Sequence, residues 1–230
     1  MSTLFITGAN RGLGLEFAKQ FLDLGWEVLA TARNPEKSQD LQELAKEKGD
    51  QISLLQLDLR DFQKIESLAQ KLEGKKIDLL LSNGAVYGGK QAFGDMDYEN
   101  WKEVFVVNTM APLKLAEAFL PHVERGEKKW MVFVTSKMGS IADNQSGGNY
   151  IYRSTKAALN MVCKSLSIDL KPKGITAIVI HPGWVKTDMG GEHAPLTPKE
   201  SIFGMIQVIQ NLSIEKTGRF YNYDGTQLPW

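Results

Sequence analysis

Cysteine is nearly absent from this sequence. The single thiol, Cys163, excludes an intrachain disulfide and the stapled scaffolds of small secreted domains, so a reducing cytoplasm is the expected setting. Cys163 lies in an apolar helical run from Ala157 to Leu170 and reads as core filler. Net charge is absent too. The 27 basic residues balance 27 acidic ones, so no global field draws the chain to nucleic acid or to an anionic membrane. The longest apolar runs fall well short of the ~20 residues that cross a bilayer. The opening Met1-Ser2-Thr3-Leu4-Phe5 carries neither a basic leader nor a long apolar segment, and no secretion signal is expected.

What the chain does have is alternation. Short β-branched and leucine-rich runs at Thr3–Thr7, Glu27–Ala32, Ile52–Leu57, Ile77–Ser82, Trp130–Thr135, Ile175–His181 and Gly218–Asn222 read as strands. Most are apolar almost throughout, as strands are when both faces of a parallel sheet are covered. Longer helical patterns separate them at Gly12–Leu24, Pro35–Lys48, Phe62–Leu72, Tyr98–Arg125, Ile151–Leu170 and Pro198–Asn211. Strand-helix alternation from end to end predicts an α/β fold, a doubly wound parallel sheet with right-handed crossovers. No repeat, low-complexity tract or linker interrupts it, so residues 1–230 are expected to form one domain.

Two stretches carry chemistry. Tyr152 and Lys156 are four residues apart on a predicted helix and share one face. An ammonium beside a phenol stabilises the phenolate and is expected to bring the tyrosine down from its usual pKa of ~10, making it an acid/base near neutrality. Tyr150 is a rival, but no lysine follows it at that spacing. The second stretch is Thr7-Gly8-Ala9-Asn10-Arg11-Gly12-Leu13-Gly14, between the first strand and the first helix. Glycines there permit a tight turn and close approach to a pyrophosphate, which the helix N-terminus attracts. At the end of the second strand, where an acid would hold the ribose of NAD, the chain has Thr31-Ala32-Arg33-Asn34. Arg33, with Arg11, can receive a 2′-phosphate, and the expectation is NADP(H). Three hydroxyls near the fifth strand, Thr135, Ser136 and Ser140, compete to hold a substrate oxygen. Lys137 is rejected as a partner of Ser136, because adjacent residues on a strand end point opposite ways.

The spacing Gly-x-x-x-Gly-x-Gly resembles that of the short-chain dehydrogenases/reductases, and further motifs extend the resemblance along the whole chain. They are Leu57-Asp58-Leu59, Ser82-Asn83-Gly84-Ala85, Val107-Asn108-Thr109, Thr135-Ser136-Lys137-Met138-Gly139, Tyr152 with Lys156, and His181-Pro182-Gly183-Trp184-Val185-Lys186-Thr187. The stretch from His181 to Gly191, Ala194-Pro195-Leu196 and the ending Asn222–Trp230 look like the sniffer-type carbonyl reductases and the related bacterial C-factor proteins. The resemblance implies a Rossmann sheet of about seven strands in the order 3-2-1-4-5-6-7 and a catalytic set of Asn108, Ser136, Tyr152 and Lys156.

Cofactor binding is implied for Gly8, Asn10, Arg11, Gly12, Leu13 and Gly14 of the turn. It is implied also for Arg33, Asp58 and Leu59 at the adenosine end, and for Asn83, Gly84, Tyr152, Lys156, Pro182, Gly183, Val185 and Thr187 along the nicotinamide half. Asp58 is expected to be free for adenine, because Asp61 is the better helix cap. Asn108 is expected to hold a kink with Pro112 and a water that leads to the lysine. His181 reads as structural, and no metal is expected. The substrate pocket is expected between Met138, the Gly88 region and a lid from Trp184 to Pro195, with Trp184 and Met189 as apolar walls. The function this implies is NADPH-dependent reduction of an aldehyde, ketone or quinone, with a homodimer as the family's common assembly. Two alternatives stand beside it: a dinucleotide-binding signalling or sensor protein of C-factor type, and an NAD-dependent alcohol dehydrogenase.

Overall fold

The computed structural model describes residues 1–230. Strands β1 (Thr3–Thr7), β2 (Glu27–Ala32), β3 (Ile52–Gln56), β4 (Leu79–Ser82), β5 (Trp130–Val134), β6 (Thr176–His181) and β7 (Phe220–Asn222) form one sheet in the order β3-β2-β1-β4-β5-β6-β7. Every neighbouring pair is parallel. The helices are α1 (Gly12–Asp23), α2 (Gln39–Lys48), α3 (Phe62–Lys71), α4 (Tyr98–Phe105), α5 (Ala111–Arg125), α6 (Tyr150–Asp169) and α7 (Pro198–Gln210).

Strand β1 shows why the run is apolar rather than alternating. Leu4 and Ile6 point into the core shared with Phe17 and Phe21 of α1 and Ile202 and Ile206 of α7. Phe5, between them, points the other way, into the core that holds Leu115 and Phe119 of α5. Phe5 and Phe119 meet with ring centroids 4.3 Å apart. With both faces covered, the carboxyl ends of the strands are left as the open edge. The order reverses between β1 and β4, and a crevice forms there.

Strand ends move by one or two residues from expectation, and three elements differ for a visible local reason. Strand β4 begins at Leu79 because Asp78 serves another purpose: its buried carboxylate accepts from Thr3 N at 2.8 Å and from Glu127 N at 2.8 Å, tying the sheet's lower edge to the turn before β5. The expected helix from Pro35 splits at Ser38 into a short 3₁₀ turn, Pro35–Lys37, and α2. The stretch Tyr98–Arg125 is helical for 28 residues but contains a π-turn at Val106–Met110. It is long enough to cross a bilayer, yet Leu115, Phe119 and Val123 are fully buried against the sheet, as in a core helix. Asp61 caps α3 as expected, accepting from Lys64 N at 3.0 Å.

Candidate active site

The glycine turn is shaped by contacts that admit no side chain. A β-carbon on Gly14 would stand 2.1 Å from the Gly8 carbonyl oxygen, and one on Gly8 would stand 2.8 Å from Gly84 Cα. Gly8 and Gly12 have φ of 69° and 54°, which glycine alone adopts at little cost. The strut of the turn is Asn83, whose Nδ2 donates to Thr7 O at 3.0 Å and Gly8 O at 3.3 Å. Thr7 Oγ1 answers by accepting from the backbone N–H of Asn83 and of Gly84, each at 3.0 Å. Asn83 therefore holds the loop through its side chain. Helix α1 then starts with no side-chain cap and no acid in its first turn. The donors and dipole of its N-terminus open onto a cleft of about 780 Å³ lined by Asn10, Arg11, Leu13 and the turn glycines. That donor set fits a diphosphate.

At one end of the cleft lie Arg33, Asp58, Leu59 and Arg60. Arg33 is exposed, and no carboxylate from the end of β2 accompanies it. Asp58 is not free, contrary to expectation. Both its oxygens are taken by the Arg60 guanidinium, at 3.1 and 2.7 Å, and this pairing holds its carboxyl below the usual carboxylate range. An arginine two residues along reaches back to the acid more readily than the spacing suggested. Leu59 seats its methyl against Gly84. Arg11 is paired with Asp188, both side chains being exposed, so it bridges the glycine turn to the segment after β6.

The other end of the cleft holds Val134, Thr135, Tyr152 and Lys156. The three hydroxyls differ in their partners, and of them only Thr135 is in the cleft lining. Thr135 Oγ1 donates to Asn160 Oδ1 at 2.7 Å, and Ser140 Oγ donates to the Trp230 carbonyl at 3.0 Å. Ser136 Oγ accepts from Met138 N at 3.1 Å, makes no other side-chain bond, and lies near enough to Tyr152 to pull its pKa down. Tyr150 is an exposed residue at the start of α6, whereas Tyr152 is buried. Lys137 leans away to Asp143, at 3.4 Å.

The electrostatics reverse one expectation. Lys156 Nζ lies 5.8 Å from the Tyr152 ring centroid and donates to the Val134 carbonyl at 2.9 Å. Burial, not the lysine, dominates the tyrosine and pushes its phenol up to about 12, while the neighbouring Ser136 hydroxyl pulls the other way. Burial also pushes the Lys156 ammonium down, to about 7. Burial at the cleft wall disfavours the charged form of each.

Asn108 sits within the π-turn, where Ala111 N–H bonds to Val106 O five residues back. Proline at 112 has no N–H for the Asn108 carbonyl, which accounts for the widened turn. The Asn108 side chain is committed elsewhere: Oδ1 accepts from Val86 N at 2.9 Å, and Nδ2 donates to Val86 O at 2.8 Å and to Thr155 Oγ1 at 3.2 Å. It clamps the segment after β4 between two helices.

After β6, Pro182 and Thr187 line the cleft, with Lys186, Asp188 and Met189. Gly183 and Val185 do not. Val185 is buried and bridges to Leu196, while Gly183, at φ 80°, packs where a β-carbon would stand 2.5 Å from Leu196 Cδ1. They shape the segment from within. Trp184 is more than half exposed and donates its indole N–H to Gly190 O at 2.7 Å, so it pins this loop rather than walling the pocket. Met138 also stands outside the lining. His181 is pushed down to about 4 by burial, and its Nδ1 has no partner.

Sequence reasoning missed Tyr87, Asn149, Thr155 and Arg60, all ordinary residues in loops or on helix faces. Only tertiary placement gives them partners, although the Asp-x-Arg spacing of Asp58 and Arg60 was a usable signal.

The Lys156 shift has a direct consequence for stability. In the unfolded chain the ammonium titrates near 10.5, and in the folded protein near 7. Between those values the unfolded state binds a proton that the folded state has shed, so stability rises with pH. Below pH ~7 the burial penalty is present in full. Lys156→Met is therefore expected to raise the unfolding free energy of the cofactor-free protein at pH 6 by on the order of 3 kcal/mol, with the gain shrinking towards pH 10. Urea titrations of both proteins across that range check this. A gain that grows with pH would contradict it.

Comparison with known proteins places this geometry. Residues 2–196 match the family model described as short chain dehydrogenase. The C-signal protein of Myxococcus xanthus is 46% identical over 154 residues, 67% of this chain and 93% of that protein. The carbonyl reductase Sniffer of D. melanogaster superposes with a TM-score of 0.95 at 36% identity, covering 100% of both chains. The NADPH-bound carbonyl reductase from chicken fatty liver gives 0.93 at 34% identity, covering 100% of this chain and 94% of that one. The match runs from the first strand through the glycine turn and the Tyr152 helix to the segment after β6, and the chain belongs to the short chain dehydrogenase family.

Proposed function

We propose that this oxidoreductase reduces the carbonyl group of a small aldehyde, ketone or quinone with NADPH. The observation that carries the reading is geometric: Tyr152 and Lys156 stand in the wall of the same cleft that the glycine turn opens onto, with Ser136 adjoining them, and burial pushes the phenol up to about 12. A neutral phenol is the form that gives a proton. The chemistry supplied by a bound NADPH is hydride donation. Ser136 and Tyr152 hold the carbonyl oxygen, and Tyr152 transfers its proton to that oxygen as negative charge develops there. Lys156 donates one N–H to Val134 and, as the ammonium, offers its other two to the ribose hydroxyls and the tyrosine oxygen. The NADPH-bound chicken reductase supports the choice of cofactor, as does the exposed Arg33 at the adenosine end. Arg11 is available to the same phosphate only by exchanging its Asp188 partner. The exposed Met110, Met161 and Ile168 on the long helices support a homodimer.

Identity with the C-signal protein favours a second reading, in which the bound dinucleotide serves signalling with little turnover. The two separate on chemistry. Tyr152→Phe is expected to keep NADPH binding and to lose at least ~10²-fold in kcat on any carbonyl that the wild type reduces. Saturable NADPH binding by the wild type with no oxidation across a carbonyl panel favours the signalling reading instead. Arg33→Asp is expected to weaken NADPH roughly 10- to 100-fold while leaving or improving NADH, the size of a lost charged hydrogen bond plus repulsion. Fluorescence titrations with both dinucleotides measure this, and an unchanged preference refutes the NADP assignment.

A further inference from the structure

Beside Tyr152 lies a second tyrosine that this reaction leaves unused. Tyr87 is half-buried, its ring centroid 5.3 Å from that of Tyr152 and tilted 59° to it. Its hydroxyl donates to Asn149 Oδ1 at 2.7 Å, so its proton is committed and it is no second acid. Asn149 is the residue before the first turn of α6, the turn that carries Tyr152.

Asn149 is conformationally expensive for what it does locally. A residue at this position ordinarily has extended backbone, and its side chain accepts an N–H from the new helix. Asn149 instead adopts φ 48° and ψ 41°, the left-handed region, and makes no such bond. Gly147 and Gly148, just before it, each have φ 61°, so the chain uses glycine freely here, and glycine would fit position 149 at lower cost. What glycine lacks is the amide that accepts from Tyr87. Two further bonds complete the clasp. Asn149 N donates to Gln91 O at 3.1 Å, and Ile151 N donates to Gln91 Oε1 at 3.4 Å. The segment Tyr87–Gln91 is thereby fastened to the turn from which Tyr152 projects.

We propose that Tyr87 is a positioning residue for Tyr152. Its ring limits the phenol on one side, and its bond to Asn149 fixes the backbone beneath the phenol. The inference rests on Tyr152 being the proton donor. Tyr87→Phe keeps the ring and removes the bond; Asn149→Gly keeps the left-handed backbone and removes the acceptor. Each is expected to lower kcat roughly 5- to 10-fold, the size of one lost hydrogen bond expressed at the transition state, with NADPH Kd unchanged. The double variant should be no slower than either single one, because both remove the same bond. Tyr87→Leu, which admits water to the phenol, should also move the alkaline limb of the kcat profile to lower pH.

NADPH binding reports folding for every variant, and Tyr87→Phe alone decides if Asn149→Gly does not fold. Wild-type kcat in Tyr87→Phe, or single effects that multiply in the double variant, overturns the proposal. If Tyr152→Phe is inactive while Tyr87→Phe and Asn149→Gly turn over normally, only this inference fails. A fully active Tyr152→Phe removes the donor assignment beneath it.

Discussion

The carboxamide of Asn108 bonds to both backbone groups of Val86 and to Thr155 Oγ1, and so joins three elements that are distant in sequence. One is the segment after β4, which lines the cleft. The second is the π-turn between α4 and α5, opened by a proline that offers the Asn108 carbonyl no N–H. The third is α6, where Thr155 lies between Tyr152 and Lys156. Thr109 adds a bond from its hydroxyl to the Thr155 carbonyl at 2.9 Å. A buried amide leaves little slack, because any unpaired group would cost about 1–3 kcal/mol. The relative placement of the glycine turn, the substrate end of the cleft and the Tyr152 helix follows from this clamp.

Within that frame, burial governs the chemistry. The helical spacing of Tyr152 and Lys156 suggests an ammonium that lowers a phenol. In the folded protein both heads are enclosed, and desolvation disfavours charge on either one. A neutral phenol with a serine hydroxyl beside it is prepared to give a proton. The lysine's contribution lies in the donors it directs at the site, and in the charge it can regain when an anionic ligand enters the cleft. The opposite end of the cleft shows the converse economy, with exposed arginines screened by water and free to exchange partners.

Much of the fold was legible because it is written in periodicity. Strands such as Thr3–Thr7 and Trp130–Val134 are apolar almost throughout, and each lies buried on both faces of the sheet. The glycine turn was legible because backbone contact at Gly8 and Gly14 excludes every other residue. What stayed hidden were side chains whose partners come from distant segments. Asp58 looked free because the Asp-x-Arg spacing permits the Arg60 contact without requiring it. The packing of Gly183 and Val185 against Leu196, inside the loop whose outer face carries Thr187, was also hidden. Trp184 looked like a pocket wall, but its indole finds a carbonyl within its own loop. The pKa of Tyr152 could not be read at all, since it depends on depth of burial rather than on spacing.

The central claim is that Tyr152 is a buried, neutral phenol. The most direct test is a titration of the cofactor-free protein carrying ¹³Cζ-labelled tyrosine, with Tyr152→Phe assigning the signal by its loss. A Tyr152 resonance that stays in the phenol form through pH 10, ionising only near the value of about 12, is the predicted result. Ionisation below pH ~10, the value of an ordinary exposed tyrosine, would contradict it.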